Sequence, residues 1–382
     1  MISTVDLDPL RNRLAVLNRT PQPADVAAAM RAEGMIVTDE ALIETVESLR
    51  RNSVGAGKLE PLLRWPGVTD VLVNGPDQVY VDRGCGLELT SVRFEDDDGV
   101  RRLAQRLAAM VGRRLDDASP YVDARLPDGT RVHAILSTIA APGTCLSLRK
   151  SAMRKFSLED MISMGTISMD AASILRRMVH SKLAFLISGG TGSGKTTLLA
   201  ALLALVPPTE RLLIVEDSRE LAPDHPHVIR LEARPPNAEL VGAITMTDLV
   251  RQSLRMRPDR VVIGEVRGPE ISDLLMALNT GHEGGCGTVH ANSAGDVPAR
   301  LEALGALGGL GRDVLHAQLA AALDTVVHIT RRPEGQRSLS EICVLNRGPS
   351  GLVEAEQAMR FDPEQGILVG PGYRRLERLL DR

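Results

Sequence analysis

Aromatic side chains are scarce: four Phe, three Tyr and one Trp in 382 residues. Proteins that hold single-stranded nucleic acid stack bases on such rings, so the shortage argues against a nucleic-acid clamp. A basic tail is missing as well. The net charge is −4, with 45 Lys and Arg against 49 Asp and Glu spread along the chain. There is thus no strong pull toward nucleic acid or anionic lipid. The four cysteines, Cys85, Cys145, Cys286 and Cys343, form no CxxC or CxxH pair. That argues against structural zinc and a disulfide framework and fits a reducing compartment. The longest strongly apolar run, Leu198 to Val206, stops at Pro207-Pro208, too short to span a bilayer. The opening MISTVDLDPLRNRL has no basic start followed by an apolar core, so no signal peptide is expected. The expectation is a cytoplasmic protein whose membrane contact, if any, is peripheral.

What is present divides the chain into segments long enough for two or three domains. PADVAAAMRAEG and TDEALIETVESLRR carry apolar residues at helical spacing, with Thr38 placed to cap the second, and define a helical segment over 1–55. VGAGK at 54–58 imitates a phosphate loop, but no apolar strand precedes it and no Ser or Thr follows Lys58. Residues 56–150 read as a small α+β domain. Short alternating runs are punctuated by Asn74-Gly75 and Gly84–Gly86, an amphipathic helix lies in GVRRLAQRLAAMVGRRL, and Pro127-Asp128-Gly129 turns between strand-like runs. Residues 151–168 are expected to form a hinge and linker. From 169 to 382 strands and helices alternate. Strands are expected at 183–188, 212–216, 260–265 and 286–290, and helices at 194–206, 247–256 and 269–279. This alternation predicts a mostly parallel sheet with helices on both faces. A helical region follows, then TVVHITRR, SLSEICVL and a basic final helix, YRRLERLLDR.

The chemistry is concentrated in that last segment. Gly189-Gly190-Thr191-Gly192-Ser193-Gly194-Lys195-Thr196, followed by Thr197, matches GxxxxGK[ST] between an apolar strand and a helix-forming run. The glycines let backbone amides curl round phosphates, Lys195 reaches the β- and γ-phosphates, and the Thr196 hydroxyl ligates Mg²⁺. In RMRPDRVVIGEVRGPE the run Val261-Val262-Ile263 leads to Gly264-Glu265. Glu265 is placed to orient or deprotonate the attacking water. The position before it, often an aspartate that holds the metal, is Gly264. Metal support is therefore sought in LLIVEDSREL, at Glu216 and Asp217, through water. NTGHEGGCGTVHANS contributes His282 and His290, with His290 expected to sense or stabilise the γ-phosphate. No third ligand at metal spacing accompanies them, so zinc is not expected.

These four stretches occur in the order of the Walker A, Asp box, Walker B and His box of the type II/IV secretion-system ATPase superfamily, which the chain resembles. RLEARPPNAE, DLVRQSLRMRPDR and HANSAGDVPARLEAL look closest to the CpaF/TadA-like ATPases of Tad (Flp-type) pilus systems. The match extends over the small domain, from about residue 60 to 345. GGCGT departs from a serine-containing stretch common in relatives. The resemblance implies a RecA-like ATPase domain preceded by a small PAS-like domain, and a ring, usually a hexamer. It also implies ATP with Mg²⁺ between the two domains and an inner-membrane platform protein as partner. It assigns transition-state arginines to Arg131 and Arg149, with Arg125 a weaker match; arginines of this kind contribute roughly 10³–10⁵ in rate. Arg267 is expected in an intersubunit or structural ion pair. The leading expectation is a mechanochemical ATPase that moves a membrane-embedded assembly. A DNA-handling motor and a small-molecule kinase are the alternatives. The acidic balance and few aromatics weigh against the first, and the context of Glu265 weighs against the second.

Overall fold

The computed structural model describes residues 13, 22–35, 37–38, 41–42, 55–84, 86–150, 155–237, 241–332, 335–362 and 365–382. Most of the second expected N-terminal helix, Cys85 and the start of the linker lie outside them. Within the first segment, α1 spans Pro23–Ala32, and the Thr38 hydroxyl accepts from the Ala41 amide at 3.1 Å. The chain divides into two compact units, 1–151 and 152–382.

In the first unit, buried valines alternate with more exposed residues along β1 (Asp70–Asn74) and β2 (Val79–Asp82), so each strand buries one face only. With β3 (Leu87–Leu89), β4 (Tyr121–Arg125), β5 (Arg131–Ile135) and β6 (Cys145–Arg149) they form a sheet in the order β3-β2-β1-β6-β5-β4, antiparallel throughout. Its buried side, including Val71, Val81, Val132 and Leu148, packs in one core with Val100, Leu103 and Leu107 of α2 (Asp97–Met110). The Asp96 side chain caps that helix by accepting from the Gly99 amide.

The second unit is built on a sheet that, among the described residues, has nine strands. β7 (Phe185–Gly189), β8 (Leu212–Glu216), β9 (Val228–Glu232), β10 (Arg260–Val266), β11 (Cys286–His290) and β12 (Thr325–Arg331) run parallel in the order β12-β7-β11-β10-β8-β9. β13 (Arg337–Arg347), β14 (Val353–Asp362) and β15 (Gly366–Val369) continue the β12 side antiparallel. Successive residues of β7 go to opposite cores. Phe185 and Ile187 join Leu198 and Leu202 on one face, and Leu186 joins Leu274, Leu301 and Leu319 on the other. A strand covered on both faces reads as an unbroken apolar run, which is why β7, β8, β10 and β11 were visible in the sequence, whereas β9, half-buried throughout, was not.

Most elements differ from expectation by a residue or two. The helix after the glycine-rich turn is shorter than 194–206, running Lys195–Leu203. The segment expected at 247–256 is α-helical only over Met246–Ser253 before a 3₁₀ turn, where Arg257 takes a left-handed conformation at φ 56°. β14 was not foreseen. VEAEQAMRFD has no strand signature, but pairing with β13 supplies its backbone bonds and buries Val353, Ala358 and Met359.

Candidate nucleotide site

Parallel pairing brings the carboxyl ends of β7, β11, β10 and β8 to one edge of the sheet, where ligands lie in open α/β folds. Gly189 pairs with His290, and Ile263 with Val215. One residue further on, Glu216 stands beside Gly264. A register shift between Ile263 and Val266 places a bulge at Gly264-Glu265, a device that re-aims a side chain. Glu265, expected as the last residue of its strand, therefore lies in a bulge one residue before the strand ends at Val266.

The glycine-rich turn closes on Gly194 at φ +98°, a conformation that favours glycine, and opens the helix of Lys195–Leu203. Lys195 is buried, and its Nζ donates to the carbonyls of Gly189 and Gly190 at 3.1 and 2.9 Å. The same Nζ is 3.3 and 3.4 Å from the two ring nitrogens of His290. His290 Nε2 is 3.1 Å from Glu265 Oε1, and Glu265 Oε2 accepts from Arg267 at 2.8 Å. Arg267 also holds Asp217, so its guanidinium bridges two carboxylates inside one chain. Lys195, His290, Glu265, Arg267 and Asp217 thus form one contiguous chain of contacts. Ser193 in the turn has a buried hydroxyl without a hydrogen-bond partner, lying 2.6 Å from the point a Cβ on Gly189 would occupy.

Burial lowers the Lys195 pKa, with Glu265 opposing the shift. Burial and then the charge of Lys195 push His290 below its usual value. His290 is therefore neutral at pH 7, and its contact with Glu265 is a hydrogen bond. Burial raises the Glu265 carboxyl, but the hydrogen bond and charge of Arg267, with His290 and Lys195, outweigh it and leave Glu265 below the usual carboxylate range. Arg267 is driven further up by Glu265 and Asp217.

Glu216 behaves differently. It is 2% exposed, and burial raises its pKa against two backbone hydrogen bonds and Arg230. Oε1 accepts from the amides of Glu220 and Leu221, both at 2.8 Å. Oε2 has no hydrogen-bond partner and lies 3.7 Å from Arg230. A Cβ on Gly264 would fall 2.6 Å from Glu216 Cγ. Position 264 carries no side chain because Glu216 fills that space from the neighbouring strand.

The structure does not bring His282 into this cluster. Its ring bonds the Ala277 carbonyl at the end of the helix Glu270–Asn279. The whole of β11 separates it from His290, about 13 Å at strand rise. In the first unit, register puts Arg149, Arg131 and Arg125 side by side on adjacent strands. Arg149 pairs with Asp70 at 2.8 Å and Arg131 with Asp123 at 2.7 Å. Sequence reasoning treated these arginines one by one and missed the row. It also missed Arg331 and Arg337, which lie against the glycine-rich turn. The signal was ITRRPEGQR, a turn flanked by arginines.

The family model for type II/IV secretion system proteins matches residues 52–359. A putative conjugal transfer protein of Mycobacterium tuberculosis is 54% identical over 330 residues, covering 85% of this chain and 94% of that protein. The type IV secretion system protein VirB11 of Brucella suis is 30% identical over 329 residues, covering 77% and 89%. Among solved structures, the pilus retraction motor PilT with bound ADP is similar, at 17% identity and a TM-score of 0.51, over 82% of this chain and 85% of that one. That last likeness concerns the fold alone.

Proposed function

The chain belongs to the type II/IV secretion system protein family, and from that premise we propose that it is an ATP-hydrolysing motor of a secretion or pilus-assembly machine. The observation that carries the reading is the contact chain Lys195–His290–Glu265–Arg267–Asp217 at the mouth of a complete phosphate-binding turn. Amides of residues 190–197 cradle the phosphates, and Lys195 neutralises the β- and γ-phosphates. Glu265, ionised through Arg267, accepts the proton of the attacking water. His290, neutral, reports the terminal phosphate to Glu265 by hydrogen bonding. Arg131 and Arg149 are the proposed transition-state arginines, on the family resemblance.

Magnesium fits the residues present. The Thr196 hydroxyl at the helix start and Glu216, whose buried Oε2 makes no hydrogen bond, would hold it, the latter through water. Among the described residues no cluster of three or more His, Cys, Asp or Glu could hold a metal alone. Such sparse ligation suits an ion kept mainly by phosphates and water, which supplies charge neutralisation at the β- and γ-oxygens when bound. Asp217, engaged by Arg267, is the weaker ligand.

The finer reading is a homo-oligomer, a hexamer, at the cytoplasmic face of the inner membrane. ATP turnover there moves the small domain about the linker 151–168 and so drives a platform protein, in a machine of the Tad (Flp-type) branch. A DNA-handling motor is the second reading, favoured by the conjugal-transfer name of the Mycobacterium tuberculosis relative. The test is ATP turnover of the purified chain with and without single-stranded DNA, beside its mass in solution with ATP. Turnover that rises with ring formation, ignores DNA and is lost in Lys195→Ala supports the secretion motor. Strong stimulation by DNA replaces it with the second reading, and no turnover in any assembly state removes both. Full activity in Arg149→Ala removes the arginine assignment alone.

A further inference from the structure

The turn that binds phosphates has different neighbours on its two flanks. On one flank β11 ends at His290, paired with Gly189, and the bulge of β10 carries Glu265. On the other, β12 pairs with β7 as far as His328 and Ser188, then continues past it to Arg331. Arg331 is the cross-strand partner of Arg337 on β13. Arg337 Nε donates to the Gly192 carbonyl at 3.0 Å. Its Cδ lies 3.2 Å from the point a Cβ on Gly194 would occupy, and Arg331 Nη1 lies 3.4 Å from the same point on Gly192. Both arginines are exposed.

Glu265 and His290 mark the flank where the terminal phosphate reacts. The rest of the polyphosphate must leave the turn toward the opposite flank, where the hairpin stands. We infer that Arg331 and Arg337 hold the part of the nucleotide that is not cleaved, its α- and β-phosphates, within the same chain that supplies the glycine-rich turn. A planar guanidinium with several donors is the side chain best suited to phosphate oxygens. Arg337 acts twice. It offers charge, and through the Gly192 carbonyl it fixes the turn whose amides face the phosphates. The inference rests on the ATPase reading and adds to it a recognition element shared by substrate and product.

The experiment is equilibrium binding of ATP and of ADP to the full-length chain, with Mg²⁺. The variants are Arg331→Ala, Arg337→Ala, their double, and Arg337→Lys, with thermal melting of each as a check on folding. A hydrogen bond to a charged group corresponds to about tenfold or more in affinity. The double variant is expected to lose about tenfold or more for ATP and ADP alike. In turnover, KM should rise by more than kcat falls, and Arg337→Lys should recover only part of the loss because it lacks the fork. Arg331→Ala leaves the Arg337 bond to the Gly192 carbonyl in place, separates charge from that positioning bond and should also weaken both nucleotides. Loss confined to ATP would place the arginines at the terminal phosphate and overturn the assignment, and unchanged affinity in the double variant would do the same. Wild-type protein that binds neither nucleotide would instead sink the ATPase reading itself.

Discussion

Replacing Gly264 by alanine tests whether Glu216 truly occupies the space beside Glu265. The added Cβ would lie 2.6 Å from Glu216 Cγ and 3.2 Å from Oε1. Carbon atoms rest at about 3.5–4.0 Å, so Glu216 must retreat by roughly 1 Å. It cannot do so freely, because Oε1 is tied to the amides of Glu220 and Leu221. Overpacking of this kind costs about 1–3 kcal/mol, and giving up an amide bond adds about 1 kcal/mol. Gly264→Ala is therefore expected to destabilise the chain by about 2–4 kcal/mol. In a Glu216→Ala background the obstacle is gone, and the same substitution should cost less by at least about 1 kcal/mol. The assay is urea unfolding followed by far-ultraviolet circular dichroism on the four members of the cycle. Equal costs in the two backgrounds, within about 0.5 kcal/mol, would refute the argument that Glu216 dictates glycine at 264.

Three further outcomes are expected. Glu265→Gln should lower turnover by about 10²–10⁴ while leaving ATP binding measurable, the signature of a lost proton acceptor; a loss below about threefold would assign the base elsewhere. Arg267→Ala removes the main partner that holds the Glu265 carboxyl down, so burial prevails and the acid limb of kcat/KM against pH should move to higher pH; an unmoved limb would separate Arg267 from catalysis. Glu216 has a folded pKa raised above 4.5 by burial. Its contribution to stability is thus present below that value and lost as pH rises through the folded pKa. Glu216→Gln should abolish that part of the decline, read as melting temperature between pH 4 and 8, and an identical pH profile in the variant would refute the assignment.

The glycine-rich turn, the buried strand runs and the order of the acidic and histidine motifs were legible in the sequence. Each depends on local spacing: amides that must curl, strands apolar on both faces, and a helix-forming run directly after the turn. His282 shows the limit of local reading. It shares its glycine-rich stretch with His290, yet the intervening strand carries the two to opposite edges of the sheet. What the tertiary structure alone decided were relations between distant segments. Parallel register set Glu216 against Gly264 across 48 residues of chain, a bulge turned Glu265, and Arg267 joined Asp217 to Glu265. Antiparallel pairing drew VEAEQAMRFD into a strand and brought Arg331 and Arg337 onto the phosphate turn. Sequence spacing fixes what a segment does with itself, whereas hydrogen-bond register between strands fixes which segments meet, and the second cannot be counted off along one chain.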